Sequence, residues 1–258
     1  MMNNLFSLEK KVAIVTGGNG GIGKGIAQGF ASMGADIAIV ARNLQKTEAA
    51  VKEIREAFGV RVLGLIYDVT DQDAVKQMTE KVLQELGRID ILVNNAGINI
   101  RKMPQDYDAS EWDQVISGNL RSAFLCSKYV YPAMKAGGGG KIINIGSMTS
   151  IFGGAKLGPY SASKGGIVQM SRSMACAWAE DHIQVNAILP GWIDTELTRR
   201  ARQEIEGLQE KAAARVPAGR WGEPQDLAGT AIFLASPASD FVTGVALPVD
   251  GGFSISIL

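Results

Sequence analysis

Histidine, cysteine and excess charge are all scarce in this sequence of 258 residues, and each scarcity excludes a class of protein. The single histidine, His182, leaves little for a histidine-based triad or a zinc cluster, and we interpret it as structural. Two cysteines, Cys126 and Cys176, lie in apolar helical patterns, which favours reduced packing residues over a disulfide or a metal pair. The 26 basic and 26 acidic residues balance, which argues against a nucleic-acid surface or an electrostatic membrane anchor.

Long hydrophobic runs are missing as well. No stretch approaches the length of a membrane span, and the first residues lack the apolar core of a signal peptide. We therefore expect a soluble, cytoplasmic protein. The chain is nevertheless 46% hydrophobic, which is enough to bury a sizeable core. Its length, with no repeat, low-complexity tract or linker, predicts one domain over residues 1–258.

The first chemical signal is a glycine-rich turn directly after a short β-branched run, Val12 to Thr16. A run that is apolar throughout is typical of a buried parallel strand. The turn extends from Gly17 to Gly23, and a helix is predicted from about Ile22 to Met33. Strand, glycine turn and helix in this order predict a site for a dinucleotide pyrophosphate, because glycine lets the backbone approach closely and a helix N-terminus favours negative charge. A plain tight turn is the alternative.

The end of the second predicted strand, Asp36 to Ala41, lacks an acidic residue. Enzymes that use NAD usually place a carboxylate there to accept hydrogen bonds from the ribose hydroxyls. This chain continues instead as Arg42-Asn43. Arginine suits a 2′-phosphate, so the sequence favours NADP(H), with NAD(H) as a second possibility. The alternative is a surface arginine at the start of the next helix.

Strands and helices continue to alternate to the end of the chain, which predicts an α/β fold with a doubly wound parallel sheet of the Rossmann type. Further strands are predicted at 60–67, 89–93, 141–145, 183–189 and 245–249. Helices are predicted at 45–58, at 71–86 with Asp71 as the cap, at 110–135 behind a capping box at Ser110, from about 160, and at 224–234. Residues 192–215 are polar and rich in charge, which is typical of a lid over a substrate or of an ordinary solvated helix.

The segment around Tyr160 carries the strongest candidate for catalysis. It opens a predicted helix, on which Tyr160 and Lys164 are four residues apart and therefore share a face. An ammonium about 4 Å from a phenolate is worth roughly 4 kcal/mol at an effective dielectric near 20. This energy would lower a tyrosine pKa by roughly three, toward the working range of a proton donor and acceptor. The alternative is a helix-capping tyrosine beside an unrelated exposed lysine.

Together these motifs resemble the short-chain dehydrogenases/reductases over essentially the whole chain. The matching residues, in chain order, are Thr16-Gly17, Gly21-Ile22-Gly23, Asp68, Asn94-Asn95-Ala96-Gly97, Asn119, Ser147, Tyr160, Lys164, Pro190-Gly191 and Thr195. The resemblance implies that Tyr160 is the acid/base and that Lys164 lowers its pKa and holds the nicotinamide ribose. It also implies that Ser147 bonds the reacting oxygen and that Asn119 holds a water of the proton relay.

The resemblance also implies how a nicotinamide cofactor is bound. Asp68 and Val69 would lie at the adenine, and Thr195 at the nicotinamide carboxamide. The full set of expected cofactor-binding residues is Gly17, Asn19, Gly21, Ile22, Gly23, Arg42, Asp68, Val69, Asn95, Ala96, Gly97, Tyr160, Lys164, Pro190, Gly191, Ile193 and Thr195. Members of the family are commonly homotetramers, and the apolar segment Phe253 to Leu258 would then be buried against another subunit.

Within the family, the segments 95–98, 145–150 and 215–222 resemble sugar-acid dehydrogenases of the gluconate 5-dehydrogenase and 2-deoxygluconate 3-dehydrogenase type. The implied substrate is a sugar acid or polyol held by Ser147, Tyr160 and Arg101, whose guanidinium would bind the carboxylate. An exposed loop arginine is the alternative for Arg101. Two other functions stay open, a 3-ketoacyl thioester reductase and a non-catalytic NADP-binding sensor. No basic patch for an acyl-carrier protein stands out, and Ser147, Tyr160 and Lys164 are all present.

Overall fold

The computed structural model describes residues 5–256 of the chain. Its strands are β1 (Val12–Thr16), β2 (Asp36–Ala41), β3 (Val62–Ile66), β4 (Ile91–Asn94), β5 (Gly140–Ile145), β6 (Ile183–Pro190) and β7 (Ala246–Val249). They pair in parallel in one sheet of order β3-β2-β1-β4-β5-β6-β7. The predicted doubly wound parallel sheet is confirmed, and each strand lies within two residues of its predicted position.

Helices cover both faces of this sheet. They are α1 (Gly21–Ser32), α2 (Leu44–Phe58), α3 (Gln72–Leu86), α4 (Ala109–Ile116), α5 (Ser122–Ala136), α6 (Gly158–Trp178), α7 (Glu196–Glu204), α8 (Leu208–Arg215) and α9 (Ala228–Ala235). Alternate residues of β1 show the two cores: Val15 packs with α1, α2 and α9, whereas Ile14 packs with α3, α5 and α6. A strand buried on both faces needs an uninterrupted apolar run, which explains the composition of β1. Among the described residues, no helix has the length and apolar composition of a membrane span.

Helix capping agrees with the sequence prediction at one position and differs at another. The Asp71 side chain accepts a hydrogen bond from Ala74 N at 2.9 Å, as predicted for α3. The predicted cap at Ser110 is wrong, because α4 begins at Ala109 with Asp108 as the cap. Glu111 accepts from Asp108 N at 3.0 Å, so the three-residue spacing of the capping box starts at Asp108.

The long helix predicted from 110 to 135 is interrupted. Between α4 and α5 the chain makes a π turn, Ser117–Arg121, in which Ser122 N donates to Ser117 O five residues back. The wider turn brings Gly118 against Ile98, where an added Cβ would lie 3.3 Å from Ile98 Cγ1. Insertions of this kind are frequent at functional sites, and this one contains Asn119.

The two cysteines differ in burial. Cys126 is buried, and burial raises the pKa of its thiol to about 12, whereas Cys176 is exposed and so does not fit the packing role expected of it.

The apolar C-terminal segment is partly buried within its own chain. The Phe253 ring packs edge to face against Phe152, with ring centroids 6.1 Å apart, so another subunit is not needed to cover it. Ile255 is 84% exposed, and the last two apolar residues, 257 and 258, lie outside the described part of the chain.

Candidate active site

The site is at the carboxyl edge of the sheet, where the turns after β1 and β4 meet. Strand order reverses between these two neighbours, and such a reversal opens a crevice that binds ligands in doubly wound sheets. Thr16, the last residue of β1, joins the two turns. Its Oγ1 accepts from Asn95 N at 3.0 Å and from Ala96 N at 3.1 Å. The Asn95 side chain donates to Thr16 O and Gly17 O, so it positions the glycine turn.

The glycine turn has the shape that a pyrophosphate requires. Gly17 and Gly21 adopt φ of +63° and +50°, a region that favours glycine. A Cβ on Gly23 would lie 2.4 Å from Gly17 O, so that position also excludes a side chain. The N-terminus of α1 has neither a side-chain cap nor an acidic residue in its first turn. Its N–H groups are therefore available to an anion, and this part of the chain fits the phosphates of a dinucleotide.

Arg42 extends from the end of β2 into solvent, where its Nη1 lies 3.6 Å from Asp68 Oδ2. Asp68 accepts two further hydrogen bonds from Thr70, at 2.9 and 2.8 Å. Burial acts to raise the pKa of Asp68, but the Thr70 bonds and the Arg42 charge outweigh it and hold the pKa below its ordinary value of 3.8. An exposed ion pair contributes only about 0–1 kcal/mol. The Arg42 guanidinium can therefore turn to a stronger anion at little cost.

Ser147 follows β5 and lies at the start of a short 3₁₀ turn, Met148–Ser150. Its hydroxyl accepts from Thr149 N at 3.1 Å. Ser150 fastens the turn to α6, since its hydroxyl accepts from Ser147 N at 3.2 Å and donates to Lys164 O at 2.8 Å. Ser150 is thus a positioning residue that the sequence reading did not identify. Its place inside the Ser147 to Ser150 motif was the available signal.

Tyr160 lies in the first turn of α6, with Lys164 one turn further along. Burial raises the pKa of Tyr160 above its ordinary 10.0, while the Ser147 hydroxyl and the Arg101 guanidinium act in the opposite direction. Lys164 Nζ donates to Ile145 O at 2.7 Å and lies 5.7 Å from the Tyr160 ring centroid. The two side chains therefore share a helix face, as expected, and the effect of Lys164 on the Tyr160 pKa stays a prediction.

The Lys164 ammonium is itself strongly perturbed. The residue is 4% exposed, and burial lowers the pKa of Lys164 from 10.5 to about 8. Gly97, in the turn after β4, makes room for it: a Cβ there would lie 3.7 Å from Lys164 Nζ and 3.0 Å from Asn119 Oδ1. The turn after β4, the end of β5 and the start of α6 therefore meet around this ammonium.

Asn119 is buried in the π turn, and both ends of its amide group bond to the protein. Its Oδ1 accepts from Ile98 N at 2.7 Å, and its Nδ2 donates to Ile98 O and to Ser163 Oγ, each at 3.0 Å. Ser163 in turn donates to Tyr160 O at 2.7 Å. Asn119 thus fastens the loop after β4 to α6. The sequence reading missed Ser163, although it lies within the motif around Tyr160.

Arg101 and Lys102 are adjacent in the loop after β4 but have different surroundings. Lys102 Nζ donates to Glu111 at 2.8 Å, an ion pair at the start of α4. The Arg101 side chain is only 19% exposed, and within residues 5–256 its guanidinium makes no hydrogen bond. Its one ion pair joins Nη1 to Glu204 Oε2 at 3.5 Å. Since Arg101 also acts on the Tyr160 pKa, it is a cation directed into the site with its donors available.

The segment 192–215 contacts this site through α7 and the residue that caps it. Thr195 caps α7 and lies against the glycine turn, where a Cβ on Gly21 would be 3.3 Å from Thr195 Cγ2. Glu196, next along α7, pairs with Lys46 of α2 at 2.7 Å. Glu204, at the other end of α7, meets Arg101. The helix therefore extends from the expected cofactor end of the crevice to Arg101.

The remaining expected cofactor residues lie at the crevice in different ways. Ile193 is 4% exposed and pairs through its main chain with Gly222, so its side chain belongs to the core. Val69 is 9% exposed and packs in the core beneath the sheet edge. Gly191 N donates to Val249 O at 3.0 Å, in the turn that begins at Pro190. Asn19 donates to Thr47 Oγ1 at 3.1 Å and so joins the glycine turn to α2. Their contacts with a cofactor remain predictions.

Comparison with known proteins gives matches over nearly the full chain. A family model described as Enoyl-(Acyl carrier protein) reductase matches residues 17–254. The chain is 42% identical to 2-dehydro-3-deoxy-D-gluconate 5-dehydrogenase of Dickeya dadantii (strain 3937), over 98% of this chain and 99% of the relative.

Two solved structures are similar in fold as well as in sequence. A gluconate 5-dehydrogenase from Burkholderia cenocepacia J2315, in complex with NADP and tartrate, has a TM-score of 0.93 and 37% identity, with 98% and 99% of the two chains covered. A short-chain type dehydrogenase/reductase from Mycobacterium marinum has a TM-score of 0.94 and 33% identity, with 99% and 100% covered. At these identities the agreement extends beyond the fold.

Proposed function

Because this chain belongs to the short-chain dehydrogenase/reductase family, we propose that it is an NADP-preferring oxidoreductase that interconverts a secondary alcohol and a ketone of a sugar acid. Two relatives named above act, by their names, on gluconate or a deoxygluconate derivative, and one of them was solved with NADP. In this chain, the absence of an acid at the end of β2 and the exposed Arg42 support NADP over NAD.

The bound cofactor supplies or accepts the hydride at the substrate carbon. The chain's own residues manage the proton. Tyr160, whose ordinary pKa of 10.0 lies above neutral pH and is raised further by burial, can donate its proton to the carbonyl oxygen as the carbon receives the hydride. The Ser147 hydroxyl and the Arg101 charge favour the phenolate that remains. In the oxidation direction the same phenolate takes the alcohol proton while the hydride leaves.

Lys164 and Asn119 lie next to Tyr160 and are proposed to bind the cofactor ribose and a relay water. The buried Lys164 ammonium, held by Ile145 O, would be available to the nicotinamide ribose. Both Asn119 amide hydrogens are committed to Ile98 and Ser163, so a relay water at this position would bind Asn119 Oδ1, which accepts one hydrogen bond and has a second lone pair.

The observation that carries a sugar acid rather than a neutral alcohol is the state of Arg101. The Arg101 side chain is four-fifths buried, and its guanidinium makes no hydrogen bond within the described residues. Such a guanidinium fits a planar anion, because a carboxylate can take two parallel N–H bonds from it. The Arg101 charge acts on the Tyr160 pKa, so a molecule whose carboxylate binds Arg101 can place another of its carbons near Tyr160. We propose that Arg101 orients the substrate in this way.

D-Gluconate and D-glucitol test this proposal as a pair. They differ only at C1, which is a carboxylate in D-gluconate and a hydroxymethyl group in D-glucitol. A charge-assisted bond is worth about 1.5–3 kcal/mol, so Arg101→Ala should lower kcat/KM for D-gluconate roughly ten- to a hundredfold more than for D-glucitol. Lys102→Ala is the matched control, since it removes a positive charge from the same loop at a residue already paired with Glu111. It should leave the ratio of the two substrates unchanged.

Any of four results would contradict the proposal. An equal effect of Arg101→Ala on both substrates would leave Arg101 without a role in carboxylate recognition. A wild-type preference for D-glucitol would remove the sugar-acid substrate. Reduction of acetoacetyl thioesters with no activity on either member of the pair would favour the ketoacyl reductase, and cofactor binding without any turnover would favour the sensor.

We further propose that the chain forms one domain in which residues 192–215 act as a lid, and that the enzyme is a cytoplasmic homotetramer. The position of α7 between Gly21 and Arg101 supports the lid. Exposed aromatic side chains on α4 and α5, Trp112 at 44% and Phe124 at 45%, support a subunit interface on that side. Light scattering after size exclusion tests the assembly, with four times the 27.4 kDa chain mass expected.

A further inference from the structure

Glu204 is the last residue of α7 and lies where it faces Arg101 of the loop after β4. Its Oε2 is 3.5 Å from Arg101 Nη1, and its own side chain is 57% exposed. It is the one carboxylate paired with Arg101 within residues 5–256. The Glu204 carboxylate therefore pairs with the same guanidinium that a substrate carboxylate would need to bind.

The position of Glu204 is unfavourable for the helix that carries it. A helix C-terminus favours positive charge and disfavours a carboxylate. The two other charged residues in the end turns of α7 follow this rule, with Glu196 in the first turn and Arg202 in the last. Arg202 is held by Asp194 and by the Trp221 ring, so it is already engaged elsewhere. Glu204 is therefore better explained by its partner across the crevice than by the stability of α7.

We propose that Glu204 is a specificity-determining residue that competes with the substrate carboxylate for Arg101. This inference rests on the role of Arg101 proposed above. In the empty site, Glu204 holds the guanidinium in place. When an anionic substrate binds, its carboxylate takes the Arg101 donors, and Glu204 turns into the solvent that it already faces. No bond is made or broken in this exchange, which is a replacement of one ion pair by another.

The exchange affects charged and neutral substrates differently. An anion must displace Glu204 from Arg101 before its carboxylate can take the same donors, so its net binding free energy is weakened by the strength of that ion pair. A neutral polyol has no group that requires the Arg101 donors, so it has no need to displace Glu204. Glu204 thus weakens the binding of sugar acids and lowers the ratio of kcat/KM for a sugar acid to kcat/KM for its matching polyol.

Glu204→Gln tests this, because it removes the charge and keeps the size of the side chain. An exposed ion pair accounts for a change of roughly two- to fivefold, so the D-gluconate KM should fall by that factor. The ratio of kcat/KM for D-gluconate to that for D-glucitol should rise equally, with kcat for D-gluconate little changed. Glu206→Gln is the matched control, since it removes the same charge two residues further on, where no ion pair of Glu206 is recorded within the described residues. It should not change the ratio.

A double substitution places the effect at Arg101. In an Arg101→Ala background, Glu204→Gln should have no effect on the substrate ratio, because the contact between the two residues is already gone. Thermal unfolding of each variant checks that α7 is intact. A charge that acted through the general field of the protein would instead change the ratio in both backgrounds and with Glu206→Gln as well, and this would overturn the inference.

The results separate this inference from the function on which it rests. If Arg101→Ala selectively impairs D-gluconate while Glu204→Gln leaves the D-gluconate KM unchanged or raises it, the competing role of Glu204 is wrong and the carboxylate site stands. If Arg101→Ala acts equally on both substrates, the carboxylate site and the competition at it are both wrong.

Discussion

Replacing Lys164 with methionine should stabilise the folded protein at neutral pH while removing its activity. Methionine is about as long as lysine and apolar, so it can fill the same buried space without a charge. Lys164 is 4% exposed, and its ammonium has no carboxylate partner within the described residues, only the carbonyl oxygen of Ile145. We predict that catalysis needs this charge, whereas its burial opposes folding.

The magnitude follows from the pKa of Lys164, which burial lowers from 10.5 to about 8. A lysine with a lowered folded-state pKa opposes folding below the folded value, and this opposition fades as the pH rises toward the unfolded value. The burial of the ammonium thus destabilises the wild type by roughly 3 kcal/mol at pH 7 and by roughly 1 kcal/mol at pH 10. The bond to Ile145 O, worth about 1 kcal/mol, is lost in the variant at both pH values.

Urea unfolding of both proteins at pH 7 and pH 10 measures the effect. The stability of Lys164→Met relative to the wild type should be greater at pH 7 than at pH 10 by roughly 2 kcal/mol, with equal m-values. Every other titrating group is common to both proteins and cancels in the comparison. A difference that stays constant between the two pH values, or that grows toward pH 10, would refute the reasoning from burial.

Two further substitutions test the remaining roles. Tyr160→Phe should nearly abolish turnover while cofactor affinity stays within a few-fold, because the ring still packs; a variant that keeps more than a tenth of the wild-type rate would show that Tyr160 is not the acid/base. Arg42→Ala should remove most of the preference for NADP over NAD, by about 1.5–3 kcal/mol in kcat/KM, since the phosphate contact is charge-assisted. Equal or better use of NAD by the wild type would contradict the assignment of Arg42.

Local signals were sufficient where the structure depends on neighbours in the chain. The apolar run of β1 required burial on both faces, and the glycines at 17 and 21 occupy backbone conformations that favour glycine. Asp71 caps α3 because its side chain reaches a main-chain N–H three residues on. Each of these outcomes depends on a few consecutive residues, so the sequence was enough to predict it. The capping box of α4 shows the limit of such predictions, because two candidate caps, Asp108 and Ser110, lie only two residues apart and the sequence did not decide between them.

Signals failed where the outcome depends on groups brought together by folding. The pattern correctly placed Lys164 beside Tyr160 on one helix face, but it gave no sign of Ile145, whose carbonyl oxygen accepts from the ammonium because α6 packs against the end of β5. The π turn at Asn119 depends on how the loop after β4 packs against the helix, and the local sequence there resembles an ordinary helix.

The sequence by itself therefore determined the sheet, the glycine turn and the identity of the catalytic candidates, because periodicity and short-range spacing encode them. Only the tertiary structure decided how those candidates are charged and held. Burial raises the pKa of Tyr160 and lowers that of Lys164, and burial is a property of the assembled core. The contact of Arg101 with Glu204 joins residues more than a hundred positions apart, on a loop and a helix that meet only when the crevice forms, so no spacing rule could have indicated it.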